Sequence, residues 1–287
     1  MPFLAILLLF LAAFLHTAWN LLLKGAKEKQ ITTWWSVLIG SSLFLPALLF
    51  TGLPDRSTWG LLVLSTTIEI GYYILLSMAY KDGDFSLVYP IARGAAPGLI
   101  AVWSVLFLHE TLTQGGVAGL LIITMGLLVV GGANAIARSR ASVASTPPRG
   151  MVLALLLALL ISIYSIIDGA AVKRTSPLPY ATLIFFLAPA IMTPLVIGHY
   201  GWPTLQQEFK LDRWRMIGIG ILVVTAYLLA LIAYSFSPIS YAGSIREVSV
   251  VIGAFTGWKL LGEKLGPMRV IGAAIIFAGI LVIAVYG

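Results

Sequence analysis

Two arginines lie inside long apolar runs of the sequence, where a charged group is costly to place. Arg93 and Arg246 both interrupt runs long enough to cross a membrane. A charge at the centre of such a helix costs about 2.5–3.5 kcal/mol on insertion scales, so each arginine needs a compensating role. A guanidinium group presents a planar fork of donors that matches a carboxylate or a phosphate. We therefore predict a clamp for an anionic group, in which Arg93 is the main member and Arg246 assists.

Three carboxylates in apolar surroundings are the available counter-ions. Glu69 lies between two isoleucines, Glu247 directly follows Arg246, and Asp168 lies late in another apolar run. Glu247 favours a structural ion pair with Arg246, whereas Glu69 is either the counter-ion of Arg93 or a proton carrier. All three carboxylates are candidates for binding a coupling ion. In the alternative interpretation both arginines are structural, paired with carboxylates or reaching to the membrane surface.

Polar and aromatic side chains recur at helical spacing near these charges. His16 and Asn20 are four residues apart with Trp19 beside them, and Tyr73 and Tyr227 occupy corresponding places in two similar segments. Such side chains either line a shared cavity or form hydrogen bonds between helices. The predicted substrate-binding residues are Arg93, Arg246, Tyr89, Asn20, Trp19, His16, Tyr73 and Tyr227.

The sequence shows no catalytic or metal-binding constellation. The three histidines are far apart, no nucleophile motif or phosphate-binding glycine loop occurs, and the chain has no cysteine. We therefore expect no enzymatic activity, no metal site and no cofactor. The net charge of +7 does not indicate nucleic-acid binding, because the basic residues lie in short segments between apolar runs.

The elements that must position these residues come from an internal repeat. Arg93 and Arg246 are 153 residues apart, and the same offset relates Glu110 to Glu263 and two pairs of glycines. A repeat that is visible in a single sequence indicates an architecture of two related units.

Composition places both units in a membrane. The 287 residues are 60% hydrophobic and only 10% charged, whereas soluble proteins average about 25% charged residues. Apolar runs recur at the length of about 20 residues that a helix needs to cross a bilayer. The ten predicted spans are residues 3–24, 31–52, 59–80, 86–107, 114–132, 150–172, 179–199, 214–235, 239–261 and 266–286.

The predicted fold is an all-α integral membrane protein built from two inverted five-helix repeats. Residues 1–132 form the first repeat, residues 133–149 form a polar linker, and residues 150–287 form the second repeat. An odd number of spans inverts the second repeat relative to the first, as in many secondary transporters.

The distribution of basic residues predicts an orientation. Most of the 18 Lys and Arg residues fall in odd-numbered loops, and only Arg56, Lys173 and Arg174 fall in even-numbered loops. The positive-inside rule therefore places the odd-numbered loops in the cytoplasm and both chain ends outside.

The chain resembles the EamA-type family of the drug/metabolite transporter superfamily over almost its whole length. The resemblance rests on a Leu-x-Glu-x-Leu break at 108–112 and again at 261–265, on the glycine-bearing runs that follow, and on the pair Trp19-Asn20. It implies a carrier of small metabolites with both ends in the cytoplasm, opposite to the charge distribution. Many members have a small or apolar residue where this chain has Arg93 and Arg246, so the resemblance does not imply a substrate.

We expect a secondary transporter of a small organic anion or zwitterion, such as an amino-acid-like metabolite, that works by alternating access. The alternative is a proton-coupled exporter of hydrophobic cations or drugs, with Glu69 as the exchange site. A lipid-modifying enzyme is disfavoured by the missing nucleophile, and a membrane scaffold explains neither the repeat nor the paired arginines. The expected partners are the small-molecule substrate and the lipid bilayer of the inner or plasma membrane, and both a monomer and a homodimer are compatible with the sequence.

Overall fold

The fold was determined as a computed structural model, and the described part of the chain is helical with no strand. The structure describes the backbone of residues 1–81, 85–140, 148–261 and 267–287. Side chains are described for these residues except 76–81, 85–92, 94, 131–140, 148–151, 254, 257, 258, 260, 261, 267 and 269. The side chain of Tyr89, much of the predicted linker, and the second Leu-x-Glu-x-Leu break with Glu263 lie outside these described residues.

Twelve α-helices and two short 3-10 turns occupy the described backbone. They are α1 (Phe3–Lys24), α2 (Lys29–Phe44), a 3-10 turn (Leu45–Ala47), α3 (Leu48–Thr51), a 3-10 turn (Arg56–Thr58), α4 (Trp59–Lys81), α5 (Phe85–Leu108), α6 (Gln114–Arg140), α7 (Pro148–Val172), α8 (Pro177–Tyr200), α9 (Trp202–Phe236), α10 (Ile239–Arg246), α11 (Val248–Leu261) and α12 (Pro267–Tyr286).

Six of the described segments are long and apolar enough to cross a membrane. They are Phe3–Lys24, Lys29–Thr51, Arg56–Leu75, Val152–Val172, Pro177–Tyr200 and Trp202–Phe236. Three shorter described apolar segments are Ala95–Leu108, Gln114–Val130 and Val270–Tyr286. Large apolar side chains such as Leu49 and Phe50 point outward. A helix satisfies its own backbone hydrogen bonds, which hydrocarbon requires, so this surface is that of a membrane protein.

Helix boundaries differ from the predicted spans at three places. The predicted span 31–52 is interrupted by a 3-10 turn at Pro46, whose ring removes a backbone donor. The predicted span 214–235 belongs to a longer helix, α9, which begins at Trp202 and has a non-helical Asp212 inside it. The predicted span 239–261 is broken at Glu247, whose N–H donates to Ser244 in a 3-10 contact.

Helices of the first part of the chain pack mainly on helices of the second part. The pairs α1 with α9, α5 with α7 and α4 with α7 make extensive contact, and α6 packs along α12. Helices α6 and α12 contact each other at two pairs of glycines. A Cβ atom added to Gly119 would lie 2.9 Å from the Gly279 carbonyl oxygen, and a Cβ atom added to Gly126 would lie 2.9 Å from the Gly272 carbonyl oxygen. No side chain fits there, which explains the glycines that recur at the 153-residue offset.

Candidate functional site

A cavity of about 110 Å³ lies among α1, α2, α4, α5, α7, α8, α9 and α10. Six aromatic side chains form much of its wall: Trp19, Tyr72, Tyr73, Tyr164, Phe185 and Tyr227. The polar and charged lining consists of His16, Asn20, Thr33, Glu69, Arg93 and Arg246. Pockets for drug-sized ligands usually enclose about 300–1,000 Å³, so this cavity suits a smaller molecule in the conformation described.

The cavity brings together most of the residues singled out from the sequence. Seven predicted substrate-binding residues line it, namely His16, Trp19, Asn20, Tyr73, Arg93, Tyr227 and Arg246, together with the coupling candidate Glu69. Glu247 and Asp168 do not line the cavity, but each contacts a residue that does. Tyr89, whose side chain lies outside the described residues, stays a prediction.

The ion pairing around Arg93 differs from the sequence-based expectation. Arg93 Nη1 lies 3.1 Å from Glu247 Oε1, and both side chains are almost completely buried, at 5% and 1% exposure. The counter-ion of Arg93 is therefore Glu247, and neither the expected pair of Glu247 with Arg246 nor the expected pair of Arg93 with Glu69 is formed. The reason is geometric, because the helix breaks at Glu247 between α10 and α11, and the carboxylate there reaches Arg93 of α5.

Arg246 consequently reaches the cavity without a carboxylate partner. Among the described residues it forms no ion pair, and its guanidinium carbon lies 5.9 Å from the centre of the Tyr227 ring. That distance is within the range of a cation–π interaction. The side chain is buried, so its charge is stabilised by this aromatic face and, at a longer distance, by the carboxylates around the cavity.

Asp168 holds this aromatic face in place. Its carboxylate is completely buried and accepts hydrogen bonds from Tyr180 Oη, at 2.9 Å, and from Tyr227 Oη. Both carboxylate oxygens are thus engaged by hydroxyl donors. Asp168 therefore positions the ring that lies against the Arg246 guanidinium, and does so from behind the cavity wall.

Glu69 is the carboxylate that faces the cavity. It is 5% exposed, and its Oε2 atom has no hydrogen-bond partner among the described residues. A buried carboxylate oxygen without a partner is costly, so this atom is a place for a proton or for the cationic group of a ligand.

His16 connects the Arg93 ion pair to the cavity wall. Its Nε2 atom lies 3.1 Å from Arg93 Nη2, and its Nδ1 atom lies 3.3 Å from Trp19 Nε1, while the Asn20 amide donates to the His16 carbonyl at 2.7 Å. Arginine and indole nitrogens are donors only, so the imidazole is flanked by two donors. A neutral imidazole accepts from one of them at a time.

The charges around the cavity do not balance when every group is ionised. Among the described side chains, two guanidinium groups face three carboxylates, and the mutual pairing of Arg93 with Glu247 leaves Arg246 with Glu69 and Asp168. A net charge in a buried, low-dielectric site is unfavourable. One additional positive charge, such as a proton on Glu69, brings this set of side chains to neutrality.

Several residues of the site were not predicted from the sequence. Tyr72 lies three residues after Glu69 and shares its helical face, so its spacing carried a usable signal. Tyr180 carried no such signal, because it is near the start of α8 and its partner Asp168 is on another helix. Among the described residues no group of three or more histidine or carboxylate side chains is arranged to hold a metal ion.

The comparisons with known proteins agree with this architecture. The model of the EamA-like transporter family matches residues 3–132 and 148–285. A solved crystal structure of a protein that carries no functional description is similar over 98% of this chain and 96% of its own, with a TM-score of 0.77 and 22% sequence identity. That likeness concerns the fold alone. No curated protein matches the sequence significantly. Members of the matching family are transporters and not enzymes. The chain belongs to the EamA-like transporter family, within the drug/metabolite transporter superfamily.

Proposed function

We propose that this protein is a secondary active transporter of a small zwitterion or organic anion and that it works by alternating access. Its ten predicted spans form two inverted five-helix repeats in the cell membrane, with the cavity between them. The packing of helices from one half on helices of the other, and the glycine pairs between α6 and α12, support an interface between two related units, which is the architecture that alternating access uses.

The observation that carries this proposal is the Arg246 guanidinium, which lines the cavity and forms no ion pair among the described residues. A bound carboxylate or other planar anion supplies the missing partner through two parallel hydrogen bonds. Arg93, the main member of the predicted clamp, already has Glu247 as its partner. We therefore assign the binding of the anionic group to Arg246 and a supporting role to Arg93.

A zwitterion suits the cavity better than a simple anion. Glu69 lines the same cavity as Arg246, and its carboxylate would repel a ligand with a net negative charge. The positive group of a zwitterion can instead lie near Glu69 and the aromatic wall, where cation–π contacts are available. Glu69 is also the proposed coupling group, because its free oxygen can bind a proton while both oxygens of Asp168 already accept hydrogen bonds.

A thermal-shift screen of the purified protein tests the assignment. The panel contains carboxylates, phosphonates, amino acids and quaternary cations. A ligand at a hundredfold excess over its Kd stabilises the native state by about 2.7 kcal/mol. We expect stabilisation by zwitterions or anions that is lost in Arg246→Gln.

The matched control is Arg213→Gln, which removes another arginine that lies against an aromatic ring. Its guanidinium carbon is 5.5 Å from the centre of the Trp214 ring, and it does not line the cavity. Undiminished stabilisation in Arg246→Gln would refute the assignment.

A proton-coupled exporter of hydrophobic cations is the second candidate, and one specific observation favours it. Glu69 faces an aromatic cavity without an ion pair among the described residues, which is the arrangement expected of a proton-exchange carboxylate. In this case quaternary cations stabilise the protein, Glu69→Gln abolishes the effect, and Arg246→Gln leaves it unchanged. Transport by Glu69→Gln that retains the original dependence on a pH gradient would exclude a coupling role for this residue.

A further inference from the structure

The loop between α5 and α6 makes a further contact between the two halves of the chain, away from the cavity lining. α5 ends at Leu108, and His109 then adopts a left-handed backbone conformation, with φ of +53°. This conformation is uncommon for a residue other than glycine. It reverses the chain direction, and the N–H of Glu110 donates to the carbonyl of Ser104 at 3.1 Å. Glu110 therefore lies in the loop after α5, and its carboxylate reaches α10.

Glu110 caps the first turn of α10. Its Oε1 atom accepts a hydrogen bond from the Ile239 N–H at 2.7 Å, and its Oε2 atom accepts from the Ser240 N–H at 3.1 Å and from Ser240 Oγ at 2.7 Å. The residue before α10 is Pro238, which makes no side-chain cap of its own. An acidic residue just before a helix commonly caps that helix, which here would be α6. Glu110 instead caps a helix of the other half of the chain.

A tyrosine of α10 completes the contact from the opposite direction. The N–H of Thr113 donates to Tyr241 Oη at 3.1 Å, and Thr113 Oγ1 donates to the Tyr286 carbonyl at the end of α12 at 2.5 Å. A Cβ atom added to Gly116 would lie 2.0 Å from Tyr241 Oη. Five hydrogen bonds therefore join the segment 109–113 to α10 and α12. We call this set of contacts the Glu110 lock.

The Glu110 lock and the cavity lie towards opposite ends of the molecule. The lock is at the end where α5 and α12 finish and α10 begins, and the start of α1 is also there, because the Met1 amino group lies 3.2 Å from the Gly287 carbonyl oxygen. The cavity is lined instead by the second half of α1, from Ala12 to Leu23, and by Thr33 near the start of α2.

Packed apolar side chains separate the cavity from the lock. Ile100, Ile166, Ile239 and Ile245 are buried in one cluster that fills the region between α5, α7 and α10. A Cβ atom added to Gly169 of α7 would lie 2.3 Å from Ile239 Cδ1, so the start of α10 packs directly against α7.

We propose that the Glu110 lock keeps the cavity closed at the lock end, and that breaking it is the step that opens the cavity there. This inference rests on the alternating-access mechanism of the proposed function. Opening at the lock end requires α10 to leave α5 and α7, and α10 cannot leave while its first turn is capped by Glu110. The lock is thus a positioning device that holds one of the two access states, and it does not contact the substrate.

Lys173 is a minor part of the arrangement. Its Nζ atom lies 3.4 Å from Glu110 Oε1, but its side chain is 39% exposed. Exposed ion pairs contribute little. The backbone and hydroxyl bonds to α10 therefore carry the lock, and Lys173→Gln serves as a variant that removes only the exposed contact.

Thiol labelling tests the lock directly, because the natural chain has no cysteine. Two single-cysteine reporters are compared in the full-length protein in proteoliposomes. Ala242→Cys reports on the lock end, where Ala242 is completely buried in the apolar cluster. Thr33→Cys reports on the cavity at the other end. Each is combined with Glu110→Ala, and a small water-soluble methanethiosulfonate is the probe.

We expect Glu110→Ala to raise the labelling rate of Ala242→Cys by about tenfold, since the loss of a helix cap shifts an equilibrium by roughly that factor. The labelling rate of Thr33→Cys should fall at the same time. Lys173→Gln and the exposed Glu28→Gln should change neither rate. Tyr241→Phe, which removes only the bond to Thr113, should produce a smaller change in the same directions.

An unchanged rate at Ala242→Cys would overturn the lock, and so would an equal rise at both reporters, which indicates general loosening. Tyr241→Phe allows the same decision if Glu110→Ala does not fold. The labelling assay contains no substrate. A failure of the lock is therefore distinguishable from a failure of the proposed substrate class, which is read from ligand binding by Arg246→Gln.

Discussion

Replacing Glu247 by glutamine is expected to destabilise the protein through Arg93 and not through the adjacent Arg246. The Arg93–Glu247 pair has a nitrogen–oxygen distance of 3.1 Å and is almost completely buried. At an effective dielectric constant of about 20, two unit charges at that distance attract by about 5 kcal/mol. Desolvation offsets part of this attraction, and removing one member of a buried pair typically costs about 3–5 kcal/mol.

The assay is a double-mutant cycle read by thermal unfolding of the purified protein in detergent. In a chain of this size about 1 kcal/mol corresponds to roughly 2 °C, so Glu247→Gln should lower the Tm by roughly 6–10 °C. Arg93→Gln should do the same, and the double variant should lose less than the sum, with a coupling free energy of about 2–3 kcal/mol.

The matched cycle uses Arg246→Gln with Glu247→Gln, two neighbours in sequence that form no ion pair in the structure. Its coupling free energy should be clearly smaller than that of the Arg93 cycle, because these two buried charges interact only at a longer distance. If the cycle with Arg246 shows the larger coupling, then the pairing described here is incorrect, and the assignment of the substrate's anionic group to Arg246 loses its basis.

Two further predictions concern packing and the wall of the cavity. Gly40→Ala should severely destabilise the protein, because its Cβ atom would lie 2.4 Å from the Gly220 carbonyl oxygen, whereas Gly60→Ala, with open space around it, should be neutral or slightly stabilising in thermal unfolding. Tyr227→Phe removes a hydrogen bond to Asp168 but keeps the ring, so it should weaken ligand binding less than Tyr227→Leu. Equal losses of affinity in both variants would show that the ring face contributes nothing.

Much of the site could be predicted from the sequence because its residues break strong local rules. Arg93, Arg246 and Glu69 stand out as charges within apolar runs, and their cost in a bilayer implies partners or ligands. The repeat at 153 residues then indicated that the two arginines approach a common centre. The structure has both of them lining one cavity.

The pairing of charges could not be predicted, because it depends on helix rotation and not on proximity in sequence. Adjacency suggested Arg246 with Glu247, yet residues at i and i+1 point in different directions around a helix. The break at Glu247 between α10 and α11 directs its carboxylate towards Arg93 of α5 instead. No sequence pattern specified that break.

Side-chain contacts between different helices could not be predicted from the sequence either. Asp168 and Tyr180 meet across α7 and α8 although neither shows a motif. The common local solution is for an acidic residue to cap the helix that follows it, but Glu110 reaches the start of α10. Local capping rules identify the residue type that caps a helix, and tertiary packing decides which helix receives the cap.

The central claim is that Arg246 binds the anionic group of the substrate, and the most direct test compares a carboxylate ligand from the screen with its methyl ester. Affinities are measured for the wild-type protein and Arg246→Gln. Truncating a buried charge pair costs about 2–5 kcal/mol, so the wild type should prefer the acid over the ester by at least about thirtyfold. Arg246→Gln should bind acid and ester alike. If Arg246→Gln still prefers the acid as strongly as the wild type does, then the anionic group is bound elsewhere and the account is wrong.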